Sequence, residues 1–113
     1  MHEMSLAEGI IQLLEDQAKA QDFSRVKQVW LSIGALAGVE VEALDFCLEV
    51  VSRDSLAAGA QFHYLRQPGA GWCLACSQPV TVSARFEACP LCGKHQVQVT
   101  GGDEMRVSEL EVE

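Results

Sequence analysis

The chain has 113 residues, a length typical of one domain or of a small core that carries an insert stabilised by a bound metal ion. Almost half of the residues are apolar (49%), which is enough for a hydrophobic core and excludes a wholly disordered protein. The formal net charge is −8, and this excess of acid argues against nucleic-acid binding, which depends on clustered lysine and arginine.

Neither a membrane-spanning segment nor a secretion signal is recognisable in the sequence. No apolar run approaches the about 20 residues that cross a bilayer. The first residues also lack the basic flank and apolar stretch of a cleavable signal. We therefore expect a cytoplasmic protein. Thiols stay reduced in the cytoplasm, so paired cysteines there are more often metal ligands than disulfides.

The first predicted element is a helix from Ser5 to about Gln21. Ser5 and Glu8 have the Ser-x-x-Glu spacing of a capping box, in which each side chain binds a free backbone N–H of the first turn. Apolar residues follow at helical spacing and predict the face that packs on the core. They are Leu6, Ile10, Leu13, Leu14 and Ala18.

A strand, a second helix and two further strands complete the predicted α+β core. Apolar residues alternate through Val29, Leu31 and Ile33, which is the pattern of a strand. Helical spacing follows from residue 42 to about 52, with Cys47 expected as a small buried hydrophobe. Residues 60–66 and 105–112 have strand-like composition. This order predicts two helices and a small three-stranded sheet that only the C-terminal strand completes.

Residues 68–102 separate the last two of these strands and form a predicted insert. Glycine and proline on both sides mark its joints as flexible. The predicted domains are therefore a discontinuous α+β domain, residues 1–67 and 103–113, and an inserted zinc-ribbon-like domain. The two domains differ in charge, because Glu87 is the only acidic residue within the insert. Valines at positions 80, 82, 97 and 99 predict the two strands of a hairpin.

Four cysteines inside the insert form the strongest motif of the sequence. Two Cys-x-x-Cys knuckles are separated by twelve residues, and each such turn places two thiolates on one ion. Two knuckles make a closed tetrahedral site, the structural kind of zinc site that leaves no position for a substrate. The predicted structural Zn(II) ligands are Cys73, Cys76, Cys89 and Cys92. A redox pair and a rubredoxin-like iron site use similar spacings and are the alternatives.

The first residues form a second candidate metal site. A free amine on Met1, nearby backbone nitrogens and the His2 imidazole would form fused chelate rings. Such a nitrogen set suits Ni(II) or Cu(II) in square-planar geometry. Histidine is too bulky for ordinary removal of the initiator methionine, so we expect Met1 to be retained. In an arbitrary protein, however, a histidine at this position is usually a frayed terminal residue. His63 is expected to pack or face solvent, and His95 to be a turn residue or an auxiliary ligand.

Four segments taken together are characteristic of one family. They are Met-His-Glu-Met-Ser at 1–5, Val-Trp-Leu-Ser-Ile-Gly at 29–34, the two cysteine knuckles, and Glu-Met-Arg-Val at 104–107. With these segments the sequence resembles, over its whole length, the HypA/HybF family of hydrogenase-maturation nickel chaperones. The combination of an initiating Met-His-Glu with paired knuckles makes this resemblance specific.

The resemblance implies a function and a set of site residues. A member of this family would deliver Ni(II) to the large-subunit precursor of [NiFe]-hydrogenase, with the GTPase HypB as a partner protein. The resemblance implies that His2 is the essential nickel ligand, that Glu3 is a neighbouring nickel-site residue, and that the four cysteines bind zinc. Glu40 falls where some relatives have an acidic residue at the nickel site. Gly93 stands where some members have a histidine, so a histidine link between the two domains stays open.

Two other classes of function compete with a nickel metallochaperone. A zinc-ribbon adaptor would bind another protein, hold one zinc ion and have no nickel function. An enzyme is not expected, because the sequence has no nucleophile–base pair, no glycine-rich phosphate loop and no open zinc site. The hydrogenase that is served, any role in urease maturation and the oligomeric state are not determined by the sequence.

Overall fold

The computed structural model of the protein describes residues 2–113. Its two helices are α1 (Glu3–Gln21) and α2 (Val41–Ser52). Its strands are β1 (Val26–Gly34), β2 (Gln61–Gln67), β3 (Gly69–Cys73), β4 (Gln78–Val82), β5 (Val97–Gly101) and β6 (Met105–Val112). The predicted α+β class is confirmed. Within these residues, no helix combines the length and the apolar character that crossing a membrane requires.

The first sheet has three strands in the order β2-β1-β6. The C-terminal strand therefore lies beside β1 and completes the sheet, as the sequence predicted. At its end, the Glu113 N–H donates to Arg25 O at 2.9 Å, and the Ser24 N–H donates to Glu113 O at 3.0 Å. The alternation along β1 is also confirmed, because Val29, Leu31 and Ile33 are all buried.

Helix α1 begins two residues earlier than predicted. Its first residue is Glu3, and its N-cap is His2, which makes no side-chain capping hydrogen bond. The predicted capping box is therefore wrong. Ser5 and Glu8 lie inside the helix, and the first turn is closed instead by the Leu6 N–H, which donates to His2 O at 2.9 Å. A capping box needs a non-helical residue at its first position, and Ser5 is already helical.

The buried face of α1 is rotated relative to the predicted one. Ile10 and Leu14 are buried as expected, but Leu13 is 43% exposed. The buried residues of the helix are Glu3, Ala7, Ile10, Ile11 and Leu14. This face still follows helical spacing, but its first two turns bury Glu3 and Ala7, whereas the apolar pattern predicted Leu6 there.

The second helix contributes the other side of this core. Helices α1 and α2 contact each other. Leu44 and Leu48 are fully buried in α2, and Cys47 is 6% exposed beside them. The prediction that Cys47 is a small core residue is confirmed.

The second sheet differs from the predicted hairpin. Its strand order is β4-β3-β5, so both valine-containing strands pair with β3 and not with each other. Gly71 in β3 lies opposite Val80 on one side and Val99 on the other. Strand β3 is not predicted by its sequence, because three of its five residues are glycine or alanine, a composition that favours a loop.

Glycine in β3 is required by close approach. A Cβ atom on Gly69 would overlap with Val82 O, and one on Gly71 would overlap with Val97 Cγ1. Glycine within a strand often marks such a position, where a neighbouring strand leaves no room for a side chain. The prediction of a flexible joint here is wrong, since these residues form the paired central strand of the sheet.

Two compact units are distinguishable along the chain. The first comprises Met1–Leu31, Val39–Tyr64 and Val107–Glu113, and the second comprises Ser32–Gly38 and Leu65–Arg106. The first unit has thirteen acidic and four basic side chains, whereas the second has three acidic and four basic ones. The excess negative charge of the protein therefore belongs to the first unit. The predicted boundary of an inserted domain at residues 68–102 stays a prediction.

Candidate metal centres

The four cysteines of the two knuckles lie together in the second unit. Their Sγ atoms are all within 4.8 Å of one another. Each knuckle is closed by a backbone hydrogen bond, from the Ser77 N–H to Cys73 O and from the Gly93 N–H to Cys89 O, both at 2.8 Å. The residue after each second cysteine has a positive φ, 52° at Ser77 and 77° at Gly93. Two turns of the same kind thus bring the four thiols together around one possible metal position.

The sulfur positions fit a tetrahedral metal site. Cys73 Sγ lies 3.7 Å from Cys92 Sγ, and Cys76 Sγ lies 3.9 Å from Cys89 Sγ. A tetrahedron with Zn–S bonds of about 2.3 Å has sulfur–sulfur edges of about 3.8 Å. This set of four soft donors can hold a metal ion such as zinc. Among residues 2–113 it is the one such cluster of histidine, cysteine, aspartate or glutamate side chains, and His95 is not part of it.

The first cysteine of each knuckle is part of a small apolar core. Cys73 is fully buried and Cys89 is 2% exposed, and both pack with Leu36, Val80 and Val82. The second cysteines are more open, since Cys76 is half-buried and Cys92 is exposed. The core therefore buries the first cysteine of each knuckle and leaves the second nearer the surface.

The surroundings of the thiols shift their proton affinities in opposite directions. Burial raises the pKa of the Cys89 thiol, but the backbone N–H groups of Cys92 and Leu91 outweigh it and lower the pKa to about 7. A hydrogen bond with Cys92, together with burial, raises the pKa of the Cys76 thiol to about 12. A cation bound by four thiolates must displace the protons of such thiols, so its binding releases protons.

The predicted nickel residues lie at the start of α1. The exposed His2 is its N-cap, and the imidazole is accessible to solvent. Glu3 is the first helical residue and is 4% exposed. Met1 lies outside the described residues, so the predicted amine donor stays a prediction.

The carboxylate of Glu3 binds the N-terminal end of α2. Its Oε2 accepts a hydrogen bond of 3.1 Å from the backbone N–H of Glu40, which is the N-cap of α2. This hydrogen bond is the main cause that lowers the pKa of Glu3, ahead of the opposing effect of burial. The contact places the starts of the two helices side by side, with the His2 and Glu40 side chains both exposed. No local sequence pattern indicates the burial of Glu3, because its hydrogen-bond partner lies 37 positions away.

His63 has a structural role in the first unit. Its ring stacks on Trp30 with centroids 4.9 Å apart and an interplanar angle of 21°. Its Nε2 forms a hydrogen bond of 2.7 Å with Gln28 Oε1. The sequence left packing and solvent exposure open for His63, and the stacking on Trp30 of the neighbouring strand shows that it packs.

The sequence matches a known protein family over almost its whole length. The family described as "Hydrogenase/urease nickel incorporation, metallochaperone, hypA" matches residues 1–112. The chain belongs to the HypA family. The resemblance seen in the sequence is therefore confirmed, and a HypA protein is a maturation factor, not an enzyme.

Individual HypA relatives agree in length and fold. The chain is 60% identical over 113 residues to a hydrogenase maturation factor HypA from Azotobacter vinelandii, and 61% identical to one from Azotobacter chroococcum, with 100% of each chain covered. The solution structure of the Ni metallochaperone HypA from Helicobacter pylori matches with a TM-score of 0.71 at 25% identity. That match covers 99% of this chain and 97% of the other.

Proposed function

We propose that this protein is a nickel metallochaperone that delivers Ni(II) to the large-subunit precursor of [NiFe]-hydrogenase during maturation. The observation that carries the proposal is the match of a nickel-incorporation family to residues 1–112. Relatives about as long as this chain are hydrogenase maturation factors. A zinc-ribbon adaptor without nickel function, the alternative, would not account for the family description.

Ni(II) is the cargo, and we assign it to the start of α1. His2 offers an exposed imidazole there, a donor that suits Ni(II). The Glu3 carboxylate is already engaged with the Glu40 N–H, so we propose that Glu3 contributes its backbone nitrogen and holds the segment in place. A site with few side chains at an exposed helix end can release its ion, which a chaperone must do.

Zinc is the resident metal of the proposal. Cys73, Cys76, Cys89 and Cys92 would hold one Zn(II), whose chemistry there is structural because four protein ligands close its coordination. The metal would stabilise the inserted domain, residues 68–102. A cytoplasmic location would keep these thiols reduced and able to bind it.

The proposed partners are the precursor of the hydrogenase large subunit and the GTPase HypB. The first unit, with thirteen acidic and four basic side chains, favours a partner surface of positive charge. Nucleic acid and membrane surfaces are not proposed as partners, because both attract basic proteins.

The test uses His2→Ala in the full chain. We expect the variant to keep its zinc and its fold but to lose at least about tenfold in Ni(II) affinity measured by calorimetry, since an imidazole ligand is gone. In cells that depend on this protein, large-subunit processing and hydrogenase nickel content should fall, and added nickel should restore them. Urease activity, measured in the same cells, shows whether a second enzyme is served. Unchanged nickel affinity and normal processing would contradict the proposal.

A further inference from the structure

The four cysteines of the proposed zinc centre differ in how far solvent reaches them. Cys73 is fully buried and Cys89 is 2% exposed, whereas Cys76 is half-buried and Cys92 is exposed. The residue before Cys92, Leu91, is 61% exposed, so this end of the second knuckle lies open to solvent. Reagents that approach from solvent therefore meet Cys92 first.

Backbone hydrogen bonds distinguish the same two pairs of cysteines: the sulfurs of Cys73 and Cys89 accept one, and, in the described part of the chain, those of Cys76 and Cys92 do not. The Cys76 N–H donates to Cys73 Sγ and the Leu91 N–H donates to Cys89 Sγ, each at 3.4 Å. Within residues 2–113, no backbone N–H donates to the sulfur of Cys76 or Cys92. An N–H that donates to a thiolate stabilises its negative charge and lowers its nucleophilicity. Cys76 and Cys92 are thus the more reactive pair.

Exposure then distinguishes the two members of that pair. Cys76 packs partly against the apolar cluster of the second unit, but Cys92 is not a member of it. Cys92 alone combines an open approach with a sulfur that accepts no backbone donor.

We propose that Cys92 is the ligand at which this zinc centre opens, the thiolate that reacts first with a soft electrophile and the one that an incoming donor replaces first. The inference rests on the proposed zinc centre and goes beyond it by assigning unequal roles to its ligands. With an alkyl iodide, the sulfur lone pair of Cys92 attacks carbon, a C–S bond forms, and the C–I bond breaks to release iodide. The resulting thioether is neutral, and a neutral sulfur is a much weaker zinc ligand than a thiolate.

The experiment treats the zinc-loaded full chain with iodoacetamide for increasing times. Acid quenching, digestion and mass spectrometry give the modified fraction of all five cysteines, while a colorimetric chelator reports released zinc. We expect Cys92 to be modified about tenfold faster than Cys73 and Cys89, as exposed thiolates are. Zinc release should follow Cys92 modification one to one. Cys47, buried in α2 and remote in the sequence from the knuckles, is the internal reference for a protected thiol.

Single substitutions test the same order without an electrophile. Cys92→Ser should retain zinc against EDTA longer than Cys76→Ser, and both longer than Cys73→Ser. Water can occupy the exposed fourth position left by Cys92, whereas loss of Cys73 also removes a sulfur from the apolar cluster. The ranking of three matched cysteine-to-serine variants is informative even if the buried variant fails to fold.

Two sets of results would overturn the inference, and they are distinguishable. If zinc is present but Cys76, Cys73 or Cys89 is modified as fast as Cys92, the unequal roles are wrong and the zinc centre stands. Equal zinc loss from Cys92→Ser and Cys73→Ser has the same meaning. If the purified protein holds no zinc with all four cysteines intact, the proposed centre itself fails and the inference fails with it.

Discussion

The backbone N–H of Glu40 donates a hydrogen bond to Glu3 Oε2, and this contact joins the starts of α1 and α2. Glu40 is the N-cap of α2 and makes no capping hydrogen bond with its own side chain. A carboxylate from one helix therefore supplies the cap of the other. The N-terminal end of a helix favours a negative group because its first N–H groups are unpaired and its dipole is positive there.

Glu3→Ala and Glu3→Gln separate the hydrogen bond from the charge. We expect Glu3→Ala to lower the thermal midpoint and the Ni(II) affinity, because the start of α1 loses its anchor to α2. Glu3→Gln keeps an acceptor oxygen and should be milder in both measurements. Glu40→Gln is the control for side-chain charge, since only the Glu40 backbone takes part in the contact. If Glu3→Gln loses nickel as completely as His2→Ala, the Glu3 carboxylate itself is a ligand.

The lowered pKa of Glu3 predicts how this anchor depends on pH. Because the folded-state pKa lies below the unfolded one, the charged form is favoured by folding. The contribution is therefore fully present above the ordinary carboxyl pKa and is lost as the pH falls through the folded-state value. Thermal midpoints of the native protein and Glu3→Gln, measured from neutral to acid pH, should converge at the acid end. Parallel curves would contradict the shift.

Neighbouring leucines of α1 test which face of the helix is buried. Leu14 is fully buried, whereas Leu13 is 43% exposed. Leu14→Ala should reduce the free energy of unfolding by about 2–5 kcal/mol, because it leaves a cavity in the core. Leu13→Ala should cost less than about 1 kcal/mol, as expected for a surface position. Denaturant unfolding of the two variants measures both values. Equal losses would mean that the predicted face, which contained both leucines, is the correct one.

Local patterns predicted the parts of this fold that depend on neighbours in the sequence. The cysteine quartet was found because each knuckle is complete within four residues, and Cys47 because its helical spacing marks the buried face of α2. The capping box failed because its pattern is short and α1 extends past it to Glu3. That extension is accompanied by a contact with Glu40, which no local pattern reveals. Strand β3 was missed for the same reason, since its glycines are explained only by Val82 and Val97 on the strands beside it.

Gly9 has open space for a Cβ atom and Gly69 has none, so their alanine substitutions make a matched pair of tests. Gly9 lies in α1 with nothing within 4 Å of an added Cβ, so Gly9→Ala should stabilise the protein by about 1 kcal/mol through helix propensity. Gly69 lies in β3, where an added Cβ would meet the Val82 carbonyl and the Leu36 side chain. Gly69→Ala should therefore destabilise the second unit and weaken zinc retention. Chemical unfolding and zinc content measure the two effects. A neutral Gly69→Ala would show that β3 tolerates a side chain there.

Removal of one buried thiolate tests whether zinc stabilises the second unit. Cys73 is fully buried in the cluster with Leu36, Val80 and Val82, and serine is a poor zinc ligand in its place. A structural zinc contributes about 10–16 kcal/mol in small metal-binding modules, more than an insert of this size gains from core burial. We expect Cys73→Ser to lose its zinc and the hydrogen-exchange protection of β3, β4 and β5. Helix α1 should stay protected, because its buried face packs in the first unit.

Cys47→Ser is the matched control for this experiment. It places a hydroxyl in the core of the first unit, which should cost about 1–3 kcal/mol of stability, and it should leave the zinc content unchanged. Full zinc content and a protected second sheet in Cys73→Ser would contradict a stabilising role for the metal.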